Sequence, residues 1–106
     1  VSKIGIIRCD THADTCAGFK CFPAMREHTG AFAAYREPVE IVGFDSCGGC
    51  DRNQADKIVA RARRLKERGA EAIHLGNCLT NVCPWAELFA ESVAREVGLP
   101  VVRGTH

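Results

Sequence analysis

The stretch Phe44-Asp45-Ser46-Cys47-Gly48-Gly49-Cys50-Asp51-Arg52-Asn53 joins three local signals. It starts as the tail of an apolar, β-branched run (Val39 to Phe44) and leads into an amphipathic pattern from about Asp51. That order reads as a strand, a tight glycine turn and a helix start, with a thiol on each side of the turn. Gly48 and Gly49 can adopt backbone angles closed to other residues, so the two sulfurs can point to one spot before the helix. A helix N-terminus carries unpaired N–H groups and partial positive charge, which favour thiolate over thiol.

Downstream, Ala55, Ile58, Val59, Ala62 and Leu65 recur at offsets of three and four and predict one buried helix face. Arg61, Arg63, Arg64, Lys66 and Arg68 cover the rest; diluted by Asp56 and Glu67, they read as a solvated face. Gly69 stops the helix. Ala70 to Leu75 predicts a third strand ending at Gly76-Asn77-Cys78. Cys83-Pro84-Trp85 then opens a helix, with Pro84 at its first position and Leu88, Phe89, Val93 and Val97 facing inward. Gly98 ends it, and Leu99 to Arg103 is the fourth strand.

Upstream, Lys3 to Arg8 is the first strand, ending at Cys9-Asp10. Residues 11–20 are small and polar and read as a loop carrying His12 and Cys16. Cys21 to Gly30 reads as a short helix, with Pro23 in its first turn and Gly30 as its cap. Ala31 to Pro38 has no clear period, though Phe32 and Tyr35 suit packing on the core. The alternation β-α-β-α-β-α-β predicts a single α/β domain over residues 1–106. Its four-stranded parallel sheet has order 2-1-3-4, flavodoxin-like or Rossmann-like, with helices on both faces. Ligands of such sheets sit beyond the carboxyl ends of the strands, here near the switch between strands one and three.

With 106 residues the chain supports one core, and its 46% apolar and 25% charged content is that of ordinary globular proteins. A formal charge of +1 argues against nucleic acid or a membrane surface as partner. No apolar run approaches the roughly 18 residues of a membrane span. Val1 to Ile7 lacks the apolar core and cleavage site of a signal peptide, so the expectation is a cytoplasmic protein. Seven cysteines are odd in number and separated by strong strand and helix patterns. In a reducing compartment they suit metal or redox chemistry better than disulfides.

On the predicted frame, Cys9, Cys47, Cys78 and His106 follow strands one to four, while Cys21, Cys50 and Cys83 precede helices. These six cysteines and His106 are thus expected at one edge, gathered into one pocket. Adjacent strands lie about 4.8 Å apart, so strands two, one and three span roughly 10 Å. A tetrahedral zinc with bonds of about 2.3 Å needs sulfurs roughly 3.8 Å apart, which loops leaning inward by a few ångströms would provide. So soft a donor set suits zinc or an iron–sulfur cluster, not magnesium or calcium. His12, three residues after Cys9, is a further candidate ligand. His74, inside strand three, reads as a hydrogen-bonded core residue. His28 sits in the last turn of a helix, and Arg8, Arg52 and Arg103 fall near the sulfur-rich edge.

The Cys47-Gly-Gly-Cys50 turn, the opening Ile4-Gly-Ile-Ile-Arg-Cys9, the Cys78 and Cys83-Pro84 pair and the closing Gly104-Thr-His106 together resemble the CGGC-domain family. These small, mostly prokaryotic proteins are described as metal-binding, with zinc suggested from their cysteines and histidines. The resemblance covers nearly the whole chain and implies a metal site at Cys9, Cys47, Cys50, Cys78, Cys83 and His106. Cys16 and Cys21 form a second close pair.

Two classes of function follow. The first is a metal-binding protein, with zinc as first choice and an iron–sulfur cluster as alternative. The second is a thiol-disulfide redox enzyme using Cys47 and Cys50, since Cys-x-x-Cys before a helix is also the thioredoxin arrangement. No cysteine has an arginine six positions later, which removes a thiol phosphatase. Neither a dinucleotide-binding nor a P-loop glycine pattern is present, and no nucleophile elbow marks a hydrolase.

Overall fold

A computed structural model describes residues 2–50 and 54–106. The expected helix start at Asp51, and Arg52 with it, lie outside the described residues. Four strands, β1 (Ser2–Arg8), β2 (Val39–Ser46), β3 (Ala72–Leu75) and β4 (Val101–Arg103), form one parallel sheet of order β2-β1-β3-β4. Four α-helices connect them: α1 (Cys21–Glu27), α2 (Gln54–Glu67), α3 (Asn77–Thr80) and α4 (Ala86–Val97). Two short 3-10 helices, Asp10–Asp14 and Gly30–Ala34, complete the elements. The first lies where a plain loop is expected, and the second in the stretch without a clear period.

Alternation along β1 divides the core into two layers. Gly5 and Ile7 face α2 and α4, where Ile58, Val59, Ala62, Leu65, Phe89, Ala90, Val93 and Val97 are buried. Ile4 and Ile6 face α1 and the second 3-10 helix, against Cys21, Ala24 and Phe32. Gly5 and Gly43 are paired across β1 and β2, and a Cβ on either would collide with the Leu65 side chain. The two glycines make the flat floor on which α2 seats, and the register shift between Ile4 and Gly5 falls at this spot.

Some sequence expectations are corrected. Leu88 is 48% exposed, because on α4 the inward stripe is Ala86, Phe89, Ala90, Val93 and Val97, and Leu88 falls on its flank. Helix α4 begins at Ala86, so Pro84 precedes it by two residues and its first helical position is not proline. Helix α1 ends at Glu27, and His28, in place of Gly30, takes the left-handed cap with φ 57°. A one-turn helix, α3, carries Cys78.

Backbone bonds beyond the strands shape the carboxyl edge of the sheet. The Cys47 amide donates to Arg8 O at 2.8 Å and the Gly76 amide to Ile7 O at 2.8 Å. These extend the ladder on both sides of β1 and draw the ends of β2 and β3 in beside Cys9.

Candidate functional site

Cys9 sits at the meeting point of three strand ends. Its backbone amide donates to Cys78 Sγ at 3.2 Å, and the next amide, of Asp10, donates to Cys47 Sγ at 3.4 Å. Two consecutive N–H groups thus cradle one sulfur from just past β2 and one from α3, just past β3. Donors aimed at sulfur favour its anionic form, whether a free thiolate or a ligand. Gly76 makes room here, since a Cβ would stand 3.3 Å from Cys78 Sγ and 3.5 Å from Arg8 Cβ.

The CGGC turn is held from behind by α2. Gly48 and Gly49 have φ of 95° and 97°, angles that only glycine adopts without strain. A side chain at Gly48 would press on Lys57 and Arg61 at 3.1 to 3.3 Å. Lys57 Nζ donates to Gly48 O, and Arg61 reaches Asp45 Oδ1, Ser46 O and Ser46 Oγ at 3.0 to 3.3 Å. Arg64 adds a 2.6 Å bond to Asp45 Oδ2. The Asp45 carboxyl is held below its ordinary value: burial opposes this, but the Ser46 amide, Arg64 and Arg61 outweigh it. The solvated-face reading of Arg61 and Arg64 is therefore incomplete, because both clamp the strand end that leads into the turn. Nothing in helical spacing reveals this, as the partner carboxylate is sixteen residues away.

Two adjoining cavities receive the thiols. An inner one of about 160 Å³ is lined by Cys9, Cys50, Cys78 and Cys83, together with His12 and Trp85 among others. The Nδ1 atom of His12 is buried without a hydrogen-bond partner. An outer one of about 440 Å³ is lined by Cys16, Cys78 and His106, with Phe19, Lys20 and Asn81 among others. Cys78 and Val82 belong to both walls. The expected single pocket is thus two, divided at Cys78. All seven cysteines are free thiols. Among the described residues, no three His, Cys, Asp or Glu side chains already stand close enough to hold a metal ion.

Placement of the remaining candidates is specific. Cys47 is 3% exposed and lies beside the inner cavity, not on its lining. Cys21 packs on the other face of the sheet, with its Sγ 3.2 Å from Thr105 Oγ1, and lines neither cavity. His106 is fixed by Asn77, whose Nδ2 donates to His106 O at 2.6 Å and lies 3.2 Å from His106 Nδ1. Asn77 Oδ1 also accepts from the Thr105 amide, so the Gly104–His106 segment is tied to the cysteine-bearing edge. His74 is a core residue, fully buried, between Tyr35 Oη at 2.8 Å and Gly104 O at 3.0 Å.

Of the edge arginines, Arg8 donates to Cys16 O and lies 5.1 Å from the Phe44 ring centroid, pinning the Asp10–Lys20 loop. Arg103 pairs with Glu87 at the surface. Burial pushes the Cys78 thiol up; the Cys9 amide partly offsets this, and the neighbouring thiols of Cys9, Cys21 and Cys16 add to it. Burial likewise raises Cys83, against the Trp85 amide and with Cys50, Cys47 and Cys9 nearby. Among the described residues, no helix is long and apolar enough to cross a membrane.

An uncharacterized protein of Methanocaldococcus jannaschii is 37% identical over 114 aligned positions, spanning 98% of this chain and 86% of the relative. Among solved structures, arylmalonate decarboxylase superposes with a TM-score of 0.51 over 95% of this chain at 21% identity, a likeness of α/β fold alone. This chain spans 42% of that protein's length. The CGGC domain matches residues 3–106, which include the turn, the two sulfur-cradling amides and the tied Gly104–His106 segment. The chain belongs to the CGGC-domain family.

Proposed function

We propose that this protein binds a soft metal ion, zinc before an iron–sulfur cluster, in the inner cavity. One observation carries the reading: four thiols and an unpartnered buried imidazole nitrogen line the same small space. A buried polar atom without a partner calls for an explanation, and a ligated cation supplies one. Cys9, Cys50, Cys78 and Cys83 offer thiolates, and His12 offers a neutral nitrogen once its other ring atom holds the proton. These five donors exceed the four of a tetrahedral site and are soft enough to favour zinc over hard cations.

The chain's own part is to lower the cost of gathering charge. The amides of Cys9 and Asp10 already point at sulfur, and Cys47 occupies one of them from behind the cavity. Because no three of the described donors stand within reach of one ion, binding includes a rearrangement of their side chains. When bound, the cation supplies the charge that holds adjacent thiolates together. Anaerobically purified protein titrated with zinc against a chromophoric chelator is expected to take up one equivalent per chain. Cys50→Ser and Cys83→Ser are expected to weaken uptake by at least about a hundredfold, on the scale of removing a ligand rather than a partner behind it. Wild-type affinity in both variants would overturn the reading.

A second reading rests on the contrast between Cys50, which is exposed, and Cys47, which is buried. In a thiol-disulfide enzyme Cys50 would attack and Cys47 would resolve. Metal-free protein that forms a reversible Cys47–Cys50 disulfide would replace the metal reading with this one.

A further inference from the structure

We propose that the outer cavity is a loading vestibule, in which Cys16 and His106 intercept a soft cation carried by a small anionic thiolate and pass it to Cys78. The inference rests on the metal-binding reading of the inner cavity and adds how the ion reaches it. Cys78 is the one sulfur shared by both cavity walls, so any donor in the outer space exchanges with the inner one through it.

The outer space is the roomier, at about 440 Å³ against about 160 Å³. A hydrated or chelated ion is larger than a bare one and is better accommodated by the outer space than by the inner. Lys20 repels a bare cation but favours an anionic complex, and the Asn81 amide and Thr15 hydroxyl add neutral polar contacts. Phe19 and Val82, 74% and 65% exposed, give that complex an apolar wall. The Asn77 clamp holds His106 at this wall, and Arg8 holds the Cys16 carbonyl, so both intercepting residues are fixed before loading.

The exchange balances without an oxidant. Cys16 releases its proton to buffer as its sulfur replaces one thiolate of the carrier, and the carrier thiolate leaves and takes up a proton. Cys78 then loses its own proton and replaces Cys16, which is reprotonated. No sulfur changes oxidation state.

Stopped-flow transfer to the whole chain, from aqueous zinc and from the zinc complex of free cysteine, tests this. Cys16→Ser is expected to slow transfer from the cysteine complex at least about tenfold, with final affinity within about twofold of wild type. Lys20→Glu is expected to slow transfer from the anionic complex and not from aqueous zinc. Unchanged rates in Cys16→Ser would overturn the proposal. So would an equal loss of affinity and rate in that variant, because Cys16 would then be a holding ligand. Unchanged thermal midpoints show that the variants are folded. Wild-type protein that takes up no zinc would sink the metal reading itself, an outcome distinct from normal uptake at an unaltered rate.

Discussion

His74 shows how one side chain binds the site's far edge to the core. Gly104 O only accepts, so Nδ1 carries the proton and Nε2 accepts from the Tyr35 hydroxyl, which burial keeps protonated. Both nitrogens are thus satisfied in the neutral ring, which also stacks on Phe32 with centroids 4.4 Å apart. Burial lowers its pKa from the ordinary histidine value, and the Gly104 bond only partly opposes this. With the folded pKa depressed, the unfolded chain binds the extra proton first. The stability contribution is therefore complete above the unfolded value of about 6.5, declines below it by up to about 1.4 kcal/mol per pH unit, and levels off beneath the folded pKa. Urea midpoints measured from pH 8 to pH 5 are expected to fall on that course. His74→Gln should be less stable at pH 8 yet lose less between pH 7 and pH 5. An unchanged slope in the variant would remove His74 as its source. The core role of His74 was legible from its place within an apolar strand. The orphaned nitrogen of His12 was not, because it depends on how the 3-10 turn packs.

At the scale of elements, the pairing of α2 with the β2 strand and its turn governs the site. Gly5 and Gly43 admit Leu65, and the helix so seated carries Arg61 and Lys57 to the CGGC turn. Gly43→Ala forces a collision at the Leu65 side chain and is expected to cost about 1–3 kcal/mol, read as a lower urea midpoint with unchanged slope. Arg61→Ala leaves the core intact. Its bonds are about one-third exposed, at 31% and 26% for the two side chains, so the stability loss should stay near 1 kcal/mol. Zinc affinity should fall about tenfold, because the turn that carries Cys50 loses its anchor. Arg61→Lys should recover only part of it, since one ammonium cannot replace the planar fork. Equal affinity in wild type and Arg61→Ala would detach the clamp from the site. Periodicity predicted α2 correctly from Ala55 to Leu65, because a buried stripe leaves its mark in the same segment. The Asp45 clamp spans two elements, and nothing local marks it.

For the whole molecule, the parallel order β2-β1-β3-β4 makes strand ends into neighbours irrespective of their distance along the chain. Cys9 and Cys78 are sixty-nine residues apart, yet an amide-to-sulfur bond joins them. Alternating strand and helix signals made that topology legible, and with it the edge where the thiols lie. The division into two cavities was not legible, since it arises from the one-turn helix α3 placing Cys78 between them. Cys21 departed from the common edge because it opens α1 on the opposite face, where burial among Ile4, Ile6 and Phe32 suits a small apolar thiol. Donors drawn from the segments that follow β1 and β2 and from the one between β3 and β4 would cross-link the sheet's carboxyl edge on sharing a cation. Binding that is confined to the folded state must therefore raise stability by mass action. At a free zinc concentration about a hundredfold above Kd the gain is about 2.7 kcal/mol. In a domain of this size that is a rise in Tm of roughly 10 to 20 °C. The rise should vanish in Cys83→Ser and persist in Cys21→Ser, whose sulfur lines neither cavity. Equal shifts in the two variants would place the bound ion elsewhere than in the inner cavity.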